Sequence, residues 1–258
     1  MNRLSSRRQN FVIVWIIEIA VFAVLIGGWY LITHESLMSP ELLPAPGIVF
    51  TAVRSILSNS ATRTDLLITL TQVIVAMAIV IPLAVSTGML VGQNPNTTVF
   101  DSLANIGMTI PQPIFLPVLF IIFGSNVLEI VLFGITHAFF VIVINSASST
   151  RSVPQSYHQL AHLYGARRRD LYRKIYFPFM VPVILQGVRL GLIFCVSGVM
   201  LAEMYSGNGG FGKDILYWGS SFVLPNLLAG IILVGISTVV LNGVFHIFEK
   251  RAGSWRES

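Results

Sequence analysis

Residues 159–182 read QLAHLYGARRRDLYRKIYFPFMVP. This basic, helix-forming island lies between two long apolar runs. Pro154 can open a first short helix, because proline suits the first helical turn. Gly165 breaks the run, helix resumes over 168–176, and Pro178 ends it. Asp170 and Lys174 form an i,i+4 pair in the favourable order. Leu160, Leu163 and Tyr164 give the first helix an apolar face with nothing in its own loop to cover it. A partner's groove would bury that face. An interfacial helix lying on lipid, with arginines reaching phosphates, fits the same pattern. The pattern alone leaves both readings open.

The flanks define the setting. The chain has 258 residues, 54% hydrophobic and 10% charged, whereas a typical soluble domain carries about 25% charged residues. That shortage points to a polytopic membrane protein. Six spans are expected, at about 11–33, 66–92, 99–123, 127–148, 179–203 and 227–248. Each is near the roughly 20 residues that cross a hydrocarbon core. The fold class is therefore all-α, with six transmembrane helices in one domain over 1–258. Pro111, Pro113 and Pro117 interrupt the third span, so it is either a broken segment or a kinked helix.

Basic residues set the orientation. Arg3, Arg7 and Arg8 precede the first span; six more basic residues lie between spans four and five; Lys250, Arg251 and Arg256 follow the sixth. Twelve of the sixteen Lys and Arg residues thus share one side. The positive-inside rule places both termini and the 149–178 loop in the cytoplasm. The clustering of positive charge beside apolar runs, with no single stripe, argues against nucleic acid as a partner. The first apolar run is longer than the 7–15 or so residues of a signal peptide core, so it reads as a retained anchor.

Outside the spans, LLPAPGIV at 42–49 carries Pro44 and Pro46, which disfavour helix there. A short amphipathic helix follows, with Val49, Val53 and Ile56 on one face. The loop at 204–226 holds Gly207, Gly209, Gly210 and Gly212, and should turn tightly. Gly187 and Gly191 form a small-xxx-small pair that permits close helix approach, either within the chain or at a seam between two copies.

Ionisable groups within spans are costly and often functional. Arg189 is deep enough in span five to need an acceptor, and Glu203 lies at that span's far end. Glu129 is near a span end and should reach water. Arg189, Met200, Glu203 and His137 are the candidates for a translocation pathway. No catalytic set is expected. His158 and His162 lack a third ligand, and Cys195 is the one cysteine, so no metal site is expected either. A Walker-type phosphate loop is absent.

The loop also resembles a known motif. Type I ABC-importer permeases carry Glu-Ala-Ala, three residues, Gly, nine residues, Ile-x-Leu-Pro. Here Gln159, Leu160 and Ala161, then Gly165, then Ile175, Phe177 and Pro178 keep that spacing. Gln159 replaces the acid, Leu160 the first alanine and Phe177 the leucine. LLPAPGIV, the block IPQPIFLPVLFIIFG at 110–124, RSVP at 151–154, GVRLGL at 187–192, AEM at 202–204, GGFG at 209–212 and the terminal WRES resemble, in order, the nitrate, taurine and aliphatic-sulfonate importer permeases. Asn242 departs from that family, which often has aspartate there.

The resemblance implies a type I importer permease of the bacterial cytoplasmic (inner) membrane. It implies a homodimer, an ABC ATPase dimer below and a periplasmic or lipid-anchored substrate-binding protein above. ATP and Mg would be bound by the ATPase, leaving no cofactor in this chain. Gln159, Leu160, Ala161, Leu163, Tyr164, Gly165, Ala166 and Arg167 would dock the ATPase. The solute would be small and mostly anionic, its identity left open. A membrane scaffold that docks a cytosolic partner without transport is the alternative.

Overall fold

The computed structural model describes residues 2–35, 37–93, 98–154, 156, 157, 159, 163–165, 167, 170 and 177–253. Helices dominate: α1 (Asn2–His34), α2 (Pro46–Ser58), α3 (Ser60–Gly92), α4 (Thr98–Thr109), α5 (Leu116–Phe123), α6 (Val127–Arg151), α7 (Phe177–Ser206), α8 (Phe211–Ser220) and α9 (Leu224–Gly253). Five of them, α1, α3, α6, α7 and α9, are long and apolar enough to cross a membrane. The remaining expected span, the third, is α4 and α5, separated by the 3-10 turn Gln112–Phe115. The broken-segment reading therefore holds over the kinked one. Pro111 and Pro113 cannot donate to a continuous ladder, and the Gln112 side-chain amide donates to the Gly107 carbonyl at 2.9 Å. That bond satisfies one backbone group at the break.

α6 lies at the centre, packed between α3 and α7. Glycines allow the close approach. A methyl group added at Gly187 would meet Asn145 Cβ at 2.5 Å, and one at Gly191 would meet the Ile142 side chain at 2.6 Å. These two glycines thus serve packing within the chain. The other face uses the same device: Gly88 and Gly92 of α3 lie against Val143, Ser146, Ala147 and Thr150 of α6. Val73, Val80, Phe133, Ile142, Leu192 and Val199 fill the resulting core.

A second, smaller core caps the end of the bundle opposite the 149–178 loop. Val49 and Ile56 of α2, Leu66 of α3, Phe211 and Trp218 of α8, and Ala229 and Leu233 of α9 form it. The amphipathic face expected in α2 is the one buried, with Val49 and Ile56 inside and Val53 half-buried. Helix begins earlier than the prolines suggested, because Pro46 occupies the first turn, where no backbone donor is needed. Asn59 ends α2 and starts α3, its side chain accepting from the Ala61 N–H at 2.9 Å.

α1 contrasts with all of this. Among its described side chains, the apolar ones from Ile13 to Ile26 are exposed, Ile13 at 51% and Val24 at 73%. Near its end, the Trp29 indole donates to the Pro44 carbonyl at 3.0 Å.

Candidate functional site

The loop expected to carry function leaves a firmly anchored base. At the end of α6, the buried Ser149 hydroxyl donates to the Met180 carbonyl of α7 at 3.1 Å. The Tyr157 and Phe179 rings lie 6.2 Å apart. Beyond that base the described residues of 159–167 are exposed. Leu163 is 82% exposed and Tyr164 86%. Gln159 and Arg167 are exposed as well. Gly165 has φ +67°, with no described residue within 4 Å of where a side chain would stand. That left-handed conformation explains why glycine breaks the helical run there. Leu160, Ala161, Ala166 and Lys174 lie outside the described residues.

The pathway candidates lie at different depths. Arg189, midway along α7, is half-buried and donates through Nε to the Asn242 side-chain oxygen of α9 at 2.9 Å. An opening of about 170 Å³ beside it is lined by Gln186, Arg189, Leu190, Ile193 and Asn242. His137 is nearly buried on α6, its ring 4.4 Å from Phe133 and pressed against Gly198 of α7. Met200 is half-buried and packs on the main core. These residues do not converge on one cavity.

Glu203 is fully buried at the far end of α7. Both its carboxylate oxygens accept from the Thr69 hydroxyl of α3, at 2.7 and 2.8 Å. The Gly212 N–H of α8 donates to it at 2.8 Å. Thr69 in turn accepts from the Phe211 N–H at 2.8 Å. Glu203 thus joins three helices: its own α7, the bundle helix α3 and α8 of the cap. Beside it, Lys213 and Asp65 form an ion pair at 3.2 Å, and the Gly210 N–H reaches Asp65 at 3.3 Å. The cap also holds Asp214. Burial first, then the neighbouring Asp65 carboxyl, holds its pKa above the ordinary value of 3.8.

Glu129 corrects an expectation. It is wholly buried, with neither carboxylate oxygen partnered among the described residues. Its place in the first turn of α6 suggested access to water. Instead, the α5–α6 turn is tied to the end of α7: Ser125 donates to the Ser206 carbonyl at 2.9 Å, and the Asn208 amide donates to the Ser125 carbonyl at 2.7 Å. The span end is thereby closed over. Among the described residues no group of three His, Cys, Asp or Glu side chains could hold a metal ion.

A larger apolar groove of about 540 Å³ runs between α3, α7 and α9 towards the loop end, lined by Ile81, Val85, Met89, Val181, Ile184 and Phe245 among others. Sequence reasoning missed this groove and the Glu203–Thr69 bond. The 88–92 glycine pair was visible in the sequence and matches the spacing of 187–191.

The family model described as the binding-protein-dependent transport system inner membrane component matches residues 80–254. The taurine transport system permease protein of Escherichia coli is 24% identical over 245 residues, covering 93% of this chain and 89% of its own. The formylaminopyrimidine transport permease protein of Halalkalibacterium halodurans is 25% identical over 244 residues, covering 93% and 96%. The riboflavin transport system permease protein of Chloroflexus aurantiacus is 28% identical over 149 residues, covering 58% and 56%.

Proposed function

Since this chain belongs to the family of binding-protein-dependent transport system inner membrane components, the ABC-importer permeases, we propose that it moves a small, mostly anionic solute delivered by a substrate-binding protein. The family's members are non-catalytic membrane subunits, so hydrolysis belongs to a separate ATPase. In this reading a homodimer of the chain sits on two ATPase copies, which bind ATP and Mg. Both termini and the 149–178 loop face the cytoplasm of a bacterial inner membrane, as the basic residues direct.

The observation that carries the reading is the loop itself. Leu163 and Tyr164 are apolar or aromatic, almost fully exposed, and run directly into a left-handed glycine on a base pinned to both α6 and α7. Two such side chains held in water favour burial by a partner, each worth about 1.5–3 kcal/mol on full burial. Gln159, Leu160, Ala161, Ala166 and Arg167 complete the docking segment. ATP can shift the permease only through contacts that differ between its states, and this loop supplies them.

Arg189 is the pathway residue best suited to an anion. It is half-buried beside Asn242, at an opening that Gln186, Leu190 and Ile193 also line. Asn242 brings no negative charge to compete with a solute, whereas an aspartate there would. His137 on α6 and Met200 and Glu203 on α7 lie nearer the far end, packed into the interior, and are assigned a lesser part in the pathway. Relatives named for taurine, formylaminopyrimidine and riboflavin transport differ in solute chemistry, so selectivity is assigned chiefly to the binding protein.

The test is co-purification of the chain with an ATPase, followed by reconstitution with the neighbouring binding protein. Hydrolysis should rise when the loaded binding protein is added. A chain that captures no ATPase, or whose ATPase ignores the binding protein, overturns the transport reading.

A further inference from the structure

We propose that Glu203 and Thr69 are positioning residues forming a clasp, through which α7 carries the cap of α2, α8 and the start of α9. The inference rests on the transport reading above and adds to it the route by which movement reaches the far end. α7 starts at the base of the loop, where Met180 is bonded to Ser149. It runs for 30 residues, or about 45 Å, with Glu203 in its last turn. A helix of that length passes displacement along its axis. What it moves depends on what its far end grips.

The grip is specific. Glu203 lies where the two apolar cores meet. Its carboxylate holds Thr69 of α3 and the Gly212 N–H of α8, while Thr69 holds the Phe211 N–H. The carboxylate takes the Gly212 N–H directly and the Thr69 hydroxyl takes the Phe211 N–H, so both backbone donors that open α8 are held. Those donors would otherwise be stranded away from water, at a cost that makes the bonds persistent. The shape agrees with the bonding. A side chain at Gly210 would occupy the Glu203 carboxylate, and one at Gly212 would meet the Met200 carbonyl at 2.6 Å. The glycine loop is therefore pressed onto Glu203 with no slack. Phe211, bonded at the clasp, is itself a fully buried member of the cap core. Moving Glu203 along or about the α7 axis drags Phe211, and with it Trp218 stacked edge-on at 5.6 Å.

The test uses the complete complex of permease, ATPase and binding protein in nanodiscs. Cys195 is buried, so a Tyr217→Cys reporter on the exposed side of α8 is read alone. Its labelling by a membrane-impermeant maleimide is timed without nucleotide and after ATP–vanadate trapping. The parent should change rate about threefold or more between these conditions. Thr69→Val keeps the shape and removes the hydroxyl. It should flatten the change to less than about 1.5-fold while ATP hydrolysis without binding protein stays within roughly twofold. Thr69→Ser should restore the response. A merely structural role would instead lower assembly and every activity together. Glu203→Gln, which keeps volume and one acceptor oxygen, should give an intermediate response. A Thr69→Val or Glu203→Gln cap that responds fully, or a parent cap that does not respond, overturns the clasp. The parent's hydrolysis response to binding protein checks the transport reading separately. Its absence overturns that reading, whereas a responsive parent with an unaltered variant cap overturns only the clasp.

Discussion

The two ends of α7 are built on opposite principles. At the loop end, the helix emerges from a segment that presents Leu163, Tyr164 and a left-handed Gly165 to solvent. At the far end, Glu203 and Phe211 are wholly buried and every clasp donor finds an acceptor within the chain. One end is unfinished until something docks there. The other has its clasp donors satisfied within the chain. Substitutions at the loop end should therefore change coupling and leave stability alone, whereas substitutions at the far end should do the reverse or both.

Gly165→Trp gives the largest expected effect. No described residue stands within 4 Å of the position, so the cost to folding should be limited to the backbone strain of a non-glycine residue at φ +67°, about 1 kcal/mol. The φ of +67° and the new bulk at the docking surface should lower binding-protein-stimulated hydrolysis by about tenfold or more. Full stimulation at normal expression would erase the contrast between the two ends.

Gly212→Ala comes next and strikes the complete end. The added methyl meets the Met200 backbone carbonyl at 2.6 Å and Glu203 Cβ at 2.8 Å, and backbone cannot step aside cheaply. Overpacking of this kind costs roughly 1–3 kcal/mol. Thermal unfolding in detergent should show a lower midpoint than the parent.

Phe222 offers a smaller test with the opposite sign. It is the non-glycine residue with positive φ among the described residues, at 56°. It terminates α8, with the Val223 N–H bonded to the Trp218 carbonyl at 2.8 Å and its own N–H to the Gly219 carbonyl at 3.3 Å. This is the helix end that glycine favours. Phe222→Gly should raise the unfolding midpoint by the equivalent of about 1 kcal/mol. No gain would mean that the exposed ring makes contacts that outweigh its backbone strain.

Asp214 provides the smallest effect and a pH dependence. Its pKa is raised in the folded chain, so the folded state holds the proton more tightly than the unfolded one. The stability contributed by the neutral acid is present at low pH and is lost as pH rises above the ordinary 3.8 towards the raised value. Asp214→Asn should flatten that part of the stability–pH profile of the cap. An unchanged slope would remove Asp214 from the account.

Much of this architecture was legible from one-dimensional signals. Apolar runs located the long helices, three prolines marked the broken span, and the spacing of Val49, Val53 and Ile56 gave α2 its buried face. The 187–191 glycine pair pointed to a close helix seam, although which helix lay across it needed coordinates. Pro46 misled because proline breaks a helix interior yet starts a helix well. Glu129 misled because nearness to a span end says nothing about a neighbouring turn folding over it. The Glu203–Thr69 bond joins residues 134 positions apart, and no local pattern connects them. The chemistry of the site was thus half visible. The exposed loop announced itself by composition, whereas the buried clasp depends on a meeting of three helices.

The isolation of α1 has its own consequence. The helix has 33 residues, about 50 Å in length, and passes a hydrocarbon layer of roughly 30 Å. Within its own chain it is secured near one tip, by the Trp29 bond to Pro44. A rod fastened at one tip takes its slant from the surrounding fluid. Thicker or thinner bilayers should swing α1 about Trp29 while the rest of the bundle keeps its packing, making this helix the part of the molecule that feels lipid composition first.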